Sequence, residues 1–275
     1  MRESRRWPRA VLAVAALTLL ALLSACSRGG DAAEEPAPVV IEQPEDEACH
    51  LLDPSDAEQS SNDDDVVDCT EEHTARTFVV DTFPAVFADA AYDDSRLGDH
   101  VYRQCDPAFA DLVGGDESAR LRSLLSWVWF RPQEDAWEAG ARWFRCDVVG
   151  GNDTAVDYRP LPADLDGLLQ DRPDEWMACA AGPRLSDAVR VPCSEDHDWR
   201  AATTIRLGRE GDDYPGDRLA EVRTRDFCRS SISAWLNYPD SYEFGYTWFG
   251  EAEWSVGNRR SICWAKTDGA APPPS

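Results

Sequence analysis

Two of the four histidines in the chain occur in the same short motif. His73 ends the segment Cys-Thr-Glu-Glu-His and His197 ends the segment Cys-Ser-Glu-Asp-His, so that Glu71 and Glu195 each stand two residues before a histidine. An imidazole beside a carboxylate can act as a base, bind a metal ion or contact a partner. The pattern favours a structural role, in which each histidine hydrogen-bonds a neighbouring loop beside a disulfide. A binding role at these four residues is the alternative.

A second repeated motif, Trp-x-x-Gly-x-Arg-x-x-x-Cys, contains Arg142 after Trp137 and Arg259 after Trp254. Three interpretations of the arginines are open. They can bind an anion, they can pair with the glutamates of the histidine motif, or they can stack on the tryptophan rings. A structural role is favoured over anion binding.

The tryptophans of the first half of the chain belong by default to the core. A groove for a peptide or a glycan is the alternative for four of them, Trp127, Trp129, Trp137 and Trp143.

Sequence signatures of common enzyme and metal sites are absent. There is no Gly-x-Ser-x-Gly, His-Glu-x-x-His, phosphate loop or dinucleotide fingerprint. No cysteine pair has Cys-x-x-Cys spacing, and the acidic run at residues 63–65 lacks the glycine and distal glutamate of a calcium loop. We therefore expect no catalytic residue, no metal site and no cofactor.

The chain has nine cysteines, and all but Cys26 are expected to form disulfides, because an even number in an exported chain indicates a disulfide framework. Four fall in each half, and four cysteines allow three connectivities. We predict pairing in chain order within each half, first with second and third with fourth. The predicted disulfide cysteines are Cys49, Cys69, Cys105, Cys146, Cys179, Cys193, Cys228 and Cys263.

The cysteine spacing and both motifs recur, which predicts two tandem copies of one small module. The pair Trp129-Phe130 also recurs, as Trp248-Phe249. Each copy is predicted to be an α+β module with an antiparallel sheet and one helix, stapled by disulfides. The predicted helices are 95–113 and 219–236, each carrying the third cysteine of its copy.

The N-terminal residues have the form of a bacterial lipoprotein signal. Four arginines precede an apolar run, which is too short to span a bilayer comfortably and ends in Leu23-Ser24-Ala25-Cys26, a lipobox in which Cys26 receives the lipid. Either Sec or twin-arginine export fits this segment. The acidic, Pro-interrupted stretch that follows is expected to be a disordered tether.

These patterns divide the chain into six parts. The predicted parts are a signal peptide (1–25), a tether (26–47), module 1 (48–152), a linker (153–175), module 2 (176–267) and a disordered tail (268–275).

The net charge of −25 opposes binding to phosphate backbones, so nucleic acid is not an expected partner. Lys266 is the only lysine, and such a preference for arginine is typical of a GC-rich genome.

The two motifs, the helix cysteine and the Tyr-Pro-Gly turn at residues 214–216 resemble those of the septum-formation domain family of high-GC Gram-positive bacteria. The resemblance covers residues 46–266 and is best in the second copy. It implies an envelope protein linked to septation, and it implies no catalytic residues.

We expect a non-enzymatic lipoprotein on the outer face of the cytoplasmic membrane, held there by its lipid anchor. Its modules are expected to bind an envelope protein or a cell-wall component during septum formation. The first alternative is an envelope enzyme or metal-dependent hydrolase that uses His73 or His197. The second is a passive spacer.

Overall fold

The computed structural model describes residues 42–152, 155–209, 211–255 and 257–267. This part of the chain is α+β, with two antiparallel sheets, a few helices and four disulfides. The predicted signal peptide, Cys26, most of the predicted tether and the predicted tail lie outside it. Among the described helices, none is long and apolar enough to span a membrane.

The first half of the chain forms a four-stranded antiparallel sheet with the strand order β1-β2-β4-β3. Its strands are β1 (Cys49–His50), β2 (Ala75–Thr82), β3 (Ser126–Phe130) and β4 (Trp143–Val149). Its helices are α1 (Pro54–Ala57), α2 (Ser95–Val113), α3 (Glu117–Leu121) and α4 (Glu134–Glu138), with a 3-10 helix at Ala85–Phe87.

The second half forms a five-stranded antiparallel sheet with the strand order β6-β5-β7-β9-β8. Its strands are β5 (Ala178–Ala181), β6 (Val189–Pro192), β7 (Trp199–Arg206), β8 (Phe244–Thr247) and β9 (Arg260–Lys266). Its helices are α5 (Asp217–Trp235) and α6 (Glu251–Ser255), with a 3-10 helix at Leu185–Asp187.

Helix α2 has the bounds that its apolar pattern predicts. Leu97, Val101, Cys105, Phe109 and Val113 recur every four residues, so they form one buried stripe. The helix begins where the Asp94 carboxylate accepts a hydrogen bond from a backbone N–H of the first turn. Helix α5 begins two residues earlier and ends one residue earlier than predicted.

All four disulfides pair in the predicted order. Cys105–Cys146 and Cys228–Cys263 each join the long helix of a half to an inner strand of its sheet, β4 or β9. The other two close short loops that precede a histidine motif. In each half a register irregularity in the neighbouring strand lies just before the residue that pairs with the strand cysteine.

The predicted equivalence of Trp129-Phe130 and Trp248-Phe249 is wrong in register. Trp129 pairs with Cys146 across the sheet, whereas the residue that pairs with Cys263 is Tyr246. The two Trp-Phe pairs are therefore offset by two residues. Trp248 lies beyond the end of β8, while Trp129 is inside β3.

One hydrophobic core joins the two halves. It contains Val148 from the first sheet, Trp264 from the second sheet, and Leu161, Leu165 and Leu169 from the stretch predicted to be a linker. The three leucines are buried, so this stretch fills the space between the sheets. Burying a leucine side chain contributes about 1.5–3 kcal/mol, and the halves are therefore held together by apolar packing.

Candidate functional site

Backbone carbonyl groups hold both motif histidines. The Nδ1–H of His73 donates to the Glu71 carbonyl oxygen at 2.9 Å, and that of His197 donates to the Glu195 carbonyl oxygen at 2.7 Å. Because a carbonyl oxygen only accepts, this bond places a hydrogen on Nδ1 in both residues. The Nε2 atom of each ring is buried and has no hydrogen-bond partner among the described residues.

The motif glutamates do not orient the histidines through their carboxylates. Glu71 is exposed, and Glu195 forms an ion pair with Arg159 at 3.2 Å. His73 itself is buried, with 3% of its surface exposed. The geometry therefore matches the structural interpretation, in which each imidazole stabilises the turn after a disulfide through a hydrogen bond.

The motif arginines stack on the motif tryptophans. The guanidinium of Arg142 lies 4.1 Å from the centroid of the Trp137 ring, and that of Arg259 lies 4.0 Å from the centroid of the Trp254 ring. Each guanidinium also donates to the carbonyl oxygen of its tryptophan. Each motif arginine thus caps the short helix, α4 or α6, that carries its tryptophan.

The motif glycine is required by backbone geometry. Gly140 has φ 104° and Gly257 has φ 108°, a region that side-chain-bearing residues rarely adopt. This turn lets the chain reverse after the short helix, so that the arginine folds back over the tryptophan ring. The Trp, Gly and Arg residues of the motif therefore all have structural roles.

Of the four tryptophans considered for a groove, Trp127 and Trp129 are the two that line one. Both are partly exposed on β3, while Trp137 is buried in the first-half core. They form an aromatic cavity of about 430 Å³ together with Tyr102 and Asp106 of α2. Gly257 and Asn258 of the second half close one side of it.

Partly buried polar groups lie in the wall of the aromatic cavity. Burial raises the pKa of the Asp106 carboxyl, against opposing effects of Arg120 and of a hydrogen bond with Trp127. Burial, with smaller contributions from Asp106 and Glu117, raises the pKa of Tyr102 to about 12. Tyr102 therefore remains a neutral hydroxyl at neutral pH, able to donate a hydrogen bond.

A second and larger space, the junction cleft, lies between β3 and the second sheet. Its volume is about 880 Å³, and Val128 of β3 faces Ile262 and Trp264 of β9 across it. Tyr158 and Trp248 complete its aromatic lining. The junction cleft and the aromatic cavity share six lining residues: Arg120, Leu121, Leu125, Ser126, Trp127 and Asn258.

Ionic and backbone contacts fix the width of the cleft. Glu117 of α3 pairs with Arg260 at 2.7 Å and with Arg206 at 3.6 Å, both from the second half. The Leu124 N–H donates to the Trp176 carbonyl oxygen at 2.8 Å, and the Arg122 guanidinium donates to the Ala201 carbonyl oxygen at 3.1 Å.

The first half contains a buried polar cluster that no sequence pattern indicates. His50, Thr77, Arg145 and Asp147 are all buried. The Thr77 hydroxyl donates to Asp147 Oδ1 at 2.7 Å, and Arg145 Nε lies 3.1 Å from Asp147 Oδ2. Burial, with the nearby charge of Arg145, lowers the pKa of His50 to about 4, while Asp64 opposes the shift.

At the equivalent register positions the second half is apolar. Ala201 and Trp264 pair across the second sheet as Thr77 and Asp147 pair across the first. The polar cluster is therefore a feature of the first half, and none of its four residues lines the aromatic cavity or the junction cleft.

The histidine motifs and the two spaces beside β3 are separate. Neither His73 nor His197 lines the aromatic cavity or the junction cleft. Among the described residues, no cluster of three or more His, Cys, Asp or Glu side chains is arranged to hold a metal ion. The aromatic and polar lining beside β3 is suited to binding a ligand, with stacking surfaces and a few fixed hydrogen-bonding groups.

Comparison with known proteins gives one match. A family model described as septum formation matches residues 46–263. No curated protein and no solved structure matches the chain.

Proposed function

Because the chain belongs to the septum-formation family, we propose that it is a non-enzymatic lipoprotein that binds an envelope protein or a cell-wall component during septum formation. The aromatic cavity and the junction cleft are the proposed binding region. The lipobox ending in Cys26 supports a lipid anchor on the outer face of the cytoplasmic membrane, and the acidic stretch after it supports a tether.

The observation that carries the proposal is the contrast between the two kinds of candidate site. Trp127, Trp129 and Tyr102 present ring surface to an open cavity, whereas the rings of His73 and His197 are held by their own backbone. A base or a metal ligand needs a free nitrogen directed at a cleft. A binding surface needs accessible aromatic area with a polar rim, which the β3 region offers.

Two tandem copies of one module, related by duplication, are also part of the proposal. In both halves the strand after the histidine motif, β2 or β7, is followed by a long helix and then by the last two strands of the sheet, and a disulfide joins the helix to the last strand. Both contain the arginine-on-tryptophan cap with a positive-φ glycine. In this view the binding region is formed where the two copies meet.

The test is capture of envelope components by the mature ectodomain with its disulfides formed. Gly98 lines the aromatic cavity, and a Cβ added there would have no atom closer than 3.9 Å, so Gly98→Leu would place an apolar side chain at the cavity without a clash at its Cβ. Gln104→Leu, at an exposed position of the same helix, is the matched control.

We expect Gly98→Leu to abolish capture, and both Gln104→Leu and the double variant His73→Ala/His197→Ala, where folded, to retain it. A full-length fluorescent fusion should accumulate at the septum, and Cys26→Ser should release it from the membrane. Hydrolytic turnover by the purified protein that is lost in a histidine variant would overturn the proposal in favour of an enzyme.

A further inference from the structure

The edge of strand β3 has no strand partner on its outer side. β3 is the last strand of the first sheet and pairs only with β4. In the described part of the chain, no backbone hydrogen bond outside that pair involves Trp127, Val128 or Trp129. A free edge of this kind exposes a row of N–H and C=O groups that can pair with another strand.

The two spaces beside β3 share Ser126 and Trp127 in their linings, and the next two residues of the strand separate them. Trp129 lines the aromatic cavity, and its neighbour Val128 lines the junction cleft. Successive residues of a strand point to opposite faces. Accordingly, Trp127 and Trp129 pack toward the core beside α2, while Val128 packs with a separate cluster on the other face.

We infer that the free edge of β3 binds an extended, basic peptide by strand addition, with alternate side chains of the peptide entering the aromatic cavity and the junction cleft. This inference rests on the proposed function and names the class of partner. In this mode of recognition, main-chain hydrogen bonds supply affinity and pockets for alternate side chains supply specificity.

The lining of the two spaces determines which type of side chain fits at the centre of the peptide. The aromatic cavity has an apolar floor at Phe109 and ring walls at Tyr102 and Trp129, and the cleft has Val128 and Ile262. Apolar side chains therefore fit at neighbouring positions of the peptide, one directed to each face.

The charge of the protein determines which charge the flanking residues of the peptide carry. The net charge of the chain is −25. The linings of the two spaces together contain four acidic residues (Glu58, Asp106, Glu117 and Glu253) and three arginines (Arg120, Arg190 and Arg260), so the attraction comes from the charge of the whole chain more than from a local acidic patch. The field of the protein therefore attracts a cationic peptide and repels an anionic polymer.

The test uses a synthetic peptide with an apolar centre and two lysines at each end, labelled for fluorescence anisotropy, and the disulfide-bonded ectodomain. We expect Gly98→Leu to weaken binding at least tenfold, while Gln104→Leu leaves it unchanged. Methylation of single backbone nitrogens along the peptide should abolish binding at every second position, because a strand directs alternate N–H groups to its neighbour. Binding should also weaken as salt is raised.

The outcomes separate this inference from the proposed function. If the ectodomain captures an envelope component while the peptide does not bind, or binds without the period of two, strand addition is wrong and the proposed function stands. If glycan fragments bind in place of the peptide and Gly98→Leu abolishes their binding, the peptide class is wrong. If neither the peptide nor any envelope component is bound, both proposals fail.

Discussion

The guanidinium of Arg259 lies 4.0 Å from the centroid of the Trp254 ring and also donates to the carbonyl oxygen of the same residue. The tryptophan is thus held twice, through its ring and through its backbone. Arg142 and Trp137 form the same arrangement in the first half. The two arrangements differ in exposure, because Arg259 is buried and Arg142 is partly exposed.

We predict that Arg259→Lys lowers the free energy of unfolding by about 2–3 kcal/mol and Arg142→Lys by about 1 kcal/mol. Lysine lacks the planar fork that stacks and donates at the same time, and the loss is greater where the group is buried. Denaturant unfolding of the two variants measures the difference. A solvent-exposed ion pair typically contributes about 0.5 kcal/mol. Losses below that value in both variants would show that the stacked arginine adds little stability.

Gly257 and Gly140 form a second matched pair. Both have positive φ, but a Cβ on Gly257 would lie 2.6 Å from Tyr102 Cε1, while a Cβ on Gly140 would meet nothing within 4 Å. Gly140→Ala should cost about 1 kcal/mol from backbone strain alone, and Gly257→Ala about 2–3 kcal/mol, because it also separates the halves. Thermal unfolding compares them, and a smaller loss for Gly257→Ala would contradict the close approach to Tyr102.

Removal of the disulfides should destabilise the protein in the order of loop length. Cys105→Ala/Cys146→Ala opens a loop with a separation of 41 residues, and Cys179→Ala/Cys193→Ala opens one of 14. The chain-entropy relation gives losses of about 4 and about 3 kcal/mol. Unfolding in denaturant without reductant tests this order, and a reversed order would indicate that native packing at Cys179–Cys193 dominates.

The pH dependence of stability should depend on His50. Its pKa is 6.5 in the unfolded chain and about 4 in the fold, so between these values the unfolded chain binds a proton that the folded chain does not. The stability contributed by this group therefore falls as the pH falls from 6.5 to about 4. Between pH 7.5 and pH 4.5 the loss is about 2–3 kcal/mol.

Asp147 acts in the opposite direction. Burial raises its pKa, so the folded chain retains this proton more readily and the stability contribution of Asp147 falls as the pH rises. Comparison of the wild type with His50→Asn at both pH values isolates the histidine. Parallel pH profiles of the two proteins would show that His50 does not titrate as its burial implies.

The sequence predicted the features that depend on local pattern. The four-residue period of Leu97, Val101 and Cys105 set the bounds of α2, and the cysteine order within each half set the disulfides. Both follow from contacts close in sequence or from covalent spacing, which a single chain displays directly.

Features that depend on packing between the halves could not be predicted. The aromatic cavity needs Gly257 beside Tyr102, two residues far apart in the sequence. The offset of the Trp-Phe pairs arose because similar residue pairs do not fix strand register. The His50 cluster had no signal, since its members occur as single residues with no shared spacing.

Strand β1 has only two residues, yet it is the first strand of the fold and follows the segment that the sequence predicts to be a tether. The disulfide from Cys49 to Cys69 connects it covalently to a position 20 residues along the chain. With the proposed lipid anchor, a mechanical load applied from the membrane would therefore bypass the intervening loop, and that loop could not be drawn out to its full length. The force would pass instead into β2 and the centre of the first sheet, so that a protein pulled through its N-terminus would resist extension in the sheet that carries the proposed binding edge.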